Sequence, residues 1–164
     1  MDASEHRRRL IRILQNAYSG EQAAAYAYRG HWKSLGKHPE FREIQRIEAE
    51  EWYHREEVGR MLTEMGARPV RWSEIRTWVI GRTLGVACHL IGWFLPMYFA
   101  GRLERGNAAE YDYAASHALA LNLPDYAREL TVMADVEREH EIYFRSVIVG
   151  HPMLPRMKKL FGWG

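Results

Sequence analysis

Cysteine is almost missing from this sequence of 164 residues, which contains only Cys88. One cysteine excludes an intrachain disulfide framework and a four-cysteine zinc or iron site. The sequence also lacks a large excess of either positive or negative charge, because 23 basic residues nearly balance 21 acidic residues. A chain with a net charge of only +2 has no overall field that gathers nucleic acid, so we predict no nucleic-acid partner. The first residues also lack the apolar run of a secretory signal, which favours a cytoplasmic protein.

Strand signals are scarce too, since no Asn-Gly or Asp-Gly hairpin dipeptide occurs. Apolar residues instead recur at spacings of three and four, which is typical of helices. We expect helical regions at about 4–35, 39–65, 72–121 and 124–150, with Pro96 dividing the third. This pattern predicts an all-α fold, an antiparallel four-helix bundle with an extra apolar helical segment. We place the bundle in residues 1–150 and a short basic, aromatic tail in 151–164.

Two Glu-x-x-His pairs, Glu51 with His54 and Glu137 with His140, interrupt stripes that are otherwise apolar. Residues three apart lie on the same face of a helix. A buried carboxylate is costly unless it is paired, hydrogen-bonded or bound to a metal. The pairs therefore predict a shared cation, or shared protons, inside the bundle. The alternative is that these side chains are solvated or paired with nearby arginines.

Hairpin geometry selects one further carboxylate for each pair. Glu51 follows the turn near Gly36 by about fifteen residues, and Glu21 lies at the same depth on the first helix. The same comparison across the turn near Leu123 selects Glu110 rather than Glu104. The predicted ligands are Glu21, Glu51, His54, Glu110, Glu137 and His140. One Glu from each of two helices plus Glu-x-x-His from each of two others is the di-iron or di-manganese arrangement. We expect two iron ions, with manganese as the alternative.

With these residues in view, the chain resembles the ferritin-like superfamily and, within it, the demethoxyubiquinone hydroxylase family. The segments that carry the resemblance are Gly20-Glu21, Tyr28-x-Gly30, Glu51-x-x-His54, Met61 to Pro69, Trp78 to Gly92 and Glu137-x-x-His140. Val136 stands where a carboxylate residue often precedes the last Glu-x-x-His of that family. The middle of the last helix is also similar to rubrerythrin.

This resemblance implies a di-iron monooxygenase that activates O₂ and hydroxylates a hydrophobic quinone-type substrate. It also implies an unidentified electron donor and a peripheral position on the inner face of a membrane, and it is compatible with a homo-oligomer. One alternative is a rubrerythrin-like peroxidase or ferroxidase, which uses peroxide and needs no lipidic channel. A second alternative is a non-enzymatic membrane-associated helical protein.

Residues Thr83 to Gly101 contain no Asp, Glu, Lys or Arg over 19 positions. Such a run is long enough to span a bilayer, but Pro96 and three glycines weaken that interpretation. We expect this segment to form an interfacial surface and the substrate entrance; plain burial is the alternative. The tail is predicted either to lie on an anionic membrane surface or to pack back on the bundle.

Overall fold

The computed structural model describes residues 2–164, and α-helices make up most of this part of the chain. Their bounds are α1 (Ala3–Leu35), α2 (Phe41–Glu64), α3 (Arg71–Ile91), α4 (Phe94–Ala120), α5 (Pro124–Ile148) and α6 (Leu154–Phe161). Within residues 2–164 no strand occurs, so the all-α prediction is confirmed.

Local chemistry accounts for the helix ends. The Asp2 carboxylate accepts a hydrogen bond from the Glu5 N–H at 2.8 Å and caps α1. Gly36 ends that helix with φ +60°. The apolar region divides at Gly92, where φ is +75°, and not at Pro96 as expected. Pro96 instead occupies the first turn of α4, where its missing N–H costs no helical hydrogen bond.

Two helical hairpins, α1–α2 and α4–α5, form the four-helix bundle. Helices α1 and α4 run antiparallel, since His6 at the start of α1 contacts His117 near the end of α4. Two apolar clusters fill the bundle. One includes Leu14 and Met133, and the other includes Ile47 and Phe144. Between them lies a layer of buried carboxylates and histidines, so both ends of this layer are closed by apolar side chains.

Helix α3 lies outside the bundle against α1. Gly85 of α3 is so close to Gly30 of α1 that a Cβ built on Gly30 would lie 2.1 Å from the Gly85 Cα. Only glycine allows this backbone approach. The extra helix thereby turns an apolar face outward, and its most exposed residues include Trp72 and Leu90. No helix within residues 2–164 is both long enough and apolar enough to cross a membrane.

The C-terminal segment packs back on the bundle. The Trp163 indole N–H donates to Glu141 Oε1 at 2.8 Å, and the Tyr98 hydroxyl donates to the Trp163 carbonyl at 2.7 Å. Gly101 lies beneath the Trp163 ring, where a Cβ would come within 2.3 Å of it. The tail therefore makes the contacts with the bundle that were one of the two expectations for it. Its basic side chains remain exposed; they are Arg156, Lys158 and Lys159.

Candidate metal centre

Five of the six predicted ligands meet in the middle of the bundle. Glu21 comes from α1, Glu51 and His54 from α2, and Glu137 and His140 from α5. Each of these side chains is at most 3% exposed. The apolar stripes of the three helices therefore point as the sequence predicted.

The sixth predicted ligand, Glu110, is exposed, and the expectation that it faces the core is wrong. Glu104 takes that position and is 1% exposed. Six residues rotate a helix by about 600°, which leaves the two side chains about 120° apart around α4. Glu110 lies on the outer side of α4, together with the exposed Leu103 and Tyr113.

The buried groups form two overlapping sets whose ligand atoms lie within 4.8 Å of one another. The first set is Glu21, Glu51, His54 and Glu137, and the second is Glu51, Glu104, Glu137 and His140. Glu51 and Glu137 belong to both sets. Each set adds one further glutamate and one histidine, which suits two adjacent ions that share two carboxylates.

When no cation is bound, burial is the main influence on the protonation of the carboxylates in this layer. It raises the pKa of Glu21, Glu51 and Glu104, and neighbouring carboxylates such as Glu137 raise these values further. Burial alone would also raise the pKa of Glu137, but the imidazoles of His140 and His54 outweigh it and lower that pKa. The cost of burying these carboxylates together is therefore offset only by shared protons or by bound cations.

Unpartnered buried atoms test whether metal ions suit this layer. Within residues 2–164, both carboxylate oxygens of Glu51 lack a hydrogen bond, as do Glu21 Oε2, Glu137 Oε2 and His140 Nδ1. Buried polar atoms are rarely left without a partner. Carboxylate oxygens and imidazole nitrogens without a thiolate suit iron or manganese. The residues present therefore fit a pair of such ions.

Two tyrosines form hydrogen bonds between α1 and α4 across the layer. Tyr28 of α1 donates to Glu104, while Tyr111 of α4 donates to Glu21. Each tyrosine follows the glutamate of its own helix by seven residues. Sequence reasoning missed Tyr111, although this repeated spacing would have selected Glu104. It also missed Asn107, whose side-chain amide donates to Glu104 Oε2 at 2.9 Å.

An apolar cavity of about 520 Å³ connects the layer to the surface. Glu21, Glu104 and Tyr111 lie along its wall. Small side chains of α1 leave the space open, and α3 and α4 supply the other walls. The apolar residues that line it include Ala17, Gly20, Ala24, Ala27, Ile80, Leu84, Cys88, Ile91, Leu95 and Phe99. Several of these belong to the segment predicted to be the substrate entrance, 83–101.

The bundle and its layer of buried carboxylates and histidines define the ferritin-like class, whose four-helix bundles hold two metal ions between carboxylates. A family model described as Ubiquinone biosynthesis protein COQ7 matches residues 6–106. The chain belongs to that family, a family of di-iron hydroxylases of ubiquinone biosynthesis, and the predicted resemblance is confirmed. The match includes Glu21, Glu51, His54 and Glu104 and ends before α5. No curated protein and no solved structure matched the chain.

Proposed function

We propose that this protein is a di-iron monooxygenase that hydroxylates the ring of a hydrophobic quinone-type substrate at a membrane surface. One observation carries the proposal: the apolar cavity joins an exposed apolar face to Glu21 and Glu104. Family membership supports an enzyme of ubiquinone biosynthesis. The proposed ligands of two iron ions are Glu21, Glu51, His54, Glu104, Glu137 and His140. Iron bound there supplies the activation of O₂.

Residues in and around the layer have four roles in this proposal. The apolar cavity walls bind the substrate and exclude water from the reacting ring. Tyr28 and Tyr111 fix the orientation of the two glutamates that the substrate meets first. Four carboxylates also balance the charge of two Fe²⁺ ions, so the loaded centre is neutral in a dry bundle.

The outer face of α3 is the proposed membrane contact. It presents exposed apolar side chains along one side: Trp72, Ile75, Val79, Val86 and Leu90. Exposed Arg71, Arg76 and Arg82 accompany them and would attract anionic lipid. The only acidic residue of α3, Glu74, is engaged by Arg55. A helix with this composition lies in the interface, and we propose attachment to the cytoplasmic face.

A peroxidase or ferroxidase would use the same ligand layer. Peroxide and iron are small and polar, so neither requires an apolar cavity of this size. The cavity therefore favours the hydroxylase, and a peroxidase activity becomes one outcome of the test.

The test loads the metal-free protein with Fe²⁺ anaerobically. A short-chain quinol that lacks the ring hydroxyl, a chemical reductant and ¹⁸O₂ are then added. Mass spectrometry should find one ¹⁸O atom in the hydroxylated product. Ala24→Phe fills the cavity, and we expect it to lower this rate at least about tenfold while two metal ions remain bound.

Ala109→Phe is the matched control, because Ala109 is exposed on α4 outside the cavity. It should keep the wild-type rate. Hydroxylation that is unchanged by Ala24→Phe would refute the cavity as the substrate site. Consumption of H₂O₂ without any quinol hydroxylation would favour the peroxidase.

A further inference from the structure

The two histidines of the ligand layer differ in what holds their outward nitrogens. His140 Nε2 lies 2.8 Å from Glu50 Oε2. Its inward Nδ1 lies 3.5 Å from Glu51 Oε1 and 3.6 Å from Glu137 Oε2. The imidazole of His140 is therefore fixed from outside by one carboxylate while its other nitrogen faces the ligand layer.

Glu50 is well placed for this role. It immediately precedes Glu51 on α2, and its side chain is 29% exposed, at the edge of the bundle. Arg46, one turn earlier, pairs with its other oxygen. The chain Arg46–Glu50–His140 fixes both the ring orientation and the tautomer of the histidine.

His54 has no such support. Its Nδ1 lies 3.0 Å from Glu137 Oε1 and so faces inward, as Nδ1 of His140 does. Within residues 2–164, no carboxylate hydrogen-bonds its outward Nε2. The residue that precedes Glu137 is Val136, an apolar side chain.

An approximate two-fold relation between the hairpins shows that Val136 corresponds to Glu50. Tyr28 donates to Glu104 and Tyr111 donates to Glu21, so these contacts exchange when the hairpins exchange. The same exchange relates the Glu-x-x-His of α2 to that of α5. Under this exchange, Val136 takes the place of Glu50 and His54 takes the place of His140.

We propose that the two metal positions are unequal, with Glu50 as the positioning residue that makes one of them tight. The tight position uses Glu104 and His140 with the shared glutamates. The weak position uses Glu21 and His54 and lacks the outer carboxylate because Val136 takes its place. This inference rests on the metal centre of the proposed function. Outer carboxylates raise metal affinity by about 10–100-fold, which sets the expected difference.

The test is an anaerobic Fe²⁺ titration of the metal-free protein, followed by equilibrium dialysis. Wild type should bind two ions in separate steps whose Kd values differ at least about tenfold. Glu50→Gln and Glu50→Leu should weaken the tighter step. Glu43→Gln is the control, because Glu43 pairs with the same Arg46 but not with a ligand histidine. His54→Ala should keep the tight step, whereas His140→Ala should lose it.

Val136→Glu supplies the missing carboxylate and is the stronger test, because a gain of affinity does not follow from misfolding. It should tighten the weaker step about tenfold and bring the two Kd values together. Val136→Leu has no acceptor and should leave both steps unchanged. Circular dichroism checks the helix content of each variant.

Two equal steps in wild type, or a tight step that survives in His140→Ala, would overturn the inequality. Failure to bind any metal would overturn both this inference and the metal centre. Two unequal steps without quinol hydroxylation would overturn the proposed reaction alone.

Discussion

The hydroxyl of Tyr28 donates a hydrogen bond to the carboxylate of Glu104 and so joins α1 to α4 across the ligand layer. Both side chains are buried, at 5% and 1% exposure. The contact fixes the rotation of α4, which turns Glu104 inward and leaves Glu110 in solvent.

This rotation predicts which glutamate of α4 binds metal. Glu104→Ala should lose at least one of two bound Fe²⁺ ions, because it removes one of the proposed buried ligands. Glu110→Ala should keep both ions, since Glu110 is exposed and lies outside both ligand sets. Metal content after anaerobic loading decides between them. The reverse result would show that α4 is turned the other way.

The Tyr28–Glu104 hydrogen bond should contribute measurably to stability. Tyr28→Phe leaves a buried carboxyl oxygen without its donor, at a cost of about 1–3 kcal/mol. Urea unfolding of the metal-free protein measures the change in the free energy of unfolding. Tyr53→Phe is the control, because Tyr53 is 59% exposed. An equal effect of both substitutions would contradict a specific role for the Tyr28 hydroxyl.

Membrane attachment should depend on the exposed face of α3. Leu90 is 83% exposed there, so Leu90→Glu introduces charge without opening the core. We expect binding to vesicles of anionic phospholipid to fall at least about tenfold, because a carboxylate resists transfer into lipid. Ile142→Glu is the matched control on α5, where Ile142 is 68% exposed. Co-sedimentation measures the bound fraction, and equal losses for both variants would argue against α3 as the contact.

His31 should make stability depend on pH. Burial, with a smaller effect of His38, lowers the pKa of His31 from 6.5 to about 4, so the folded protein holds a neutral imidazole. The unfolded chain takes up the proton first as pH falls below about 6.5, so this group destabilises the fold at acid pH. His31→Leu removes that loss. As the pH falls from 7 to 4, the free energy of unfolding of the variant should rise by about 2–3 kcal/mol relative to that of wild type.

Urea unfolding at each pH measures this difference. His89→Leu provides the control, since His89 is exposed on α3. A constant difference between His31→Leu and wild type across the pH range would contradict the lowered pKa of His31.

The sequence by itself determined most of the layer of buried carboxylates and histidines. On α1, α2 and α5 most apolar residues lie along one stripe, and this stripe must face the core. Glu21, Glu51 and Glu137 lie on the same stripes and therefore point inward with their apolar neighbours. The three-residue spacing then placed His54 and His140 beside the glutamates, because residues three apart share a helix face.

Tertiary packing decided the rotation of α4, which in the sequence only the repeated seven-residue spacing from glutamate to tyrosine indicates. This helix has apolar residues on both sides, with Met97 and Ala108 buried but Phe99 and Leu103 partly exposed, so periodicity does not define its inner face. The contacts with Tyr28 and α5 select Glu104. The exposed apolar residues instead line the cavity beside α3, where a substrate can cover them.

The inequality of the two histidines also follows only from tertiary structure. Glu50 lies next to Glu51 in sequence but contacts His140, which is 90 residues away. A local pattern records which residue precedes a ligand, whereas the packing of α2 against α5 decides which imidazole that residue reaches. Hydrogen bonds between separate helices depend on helix rotation and spacing, and these are set by the whole core rather than by one segment.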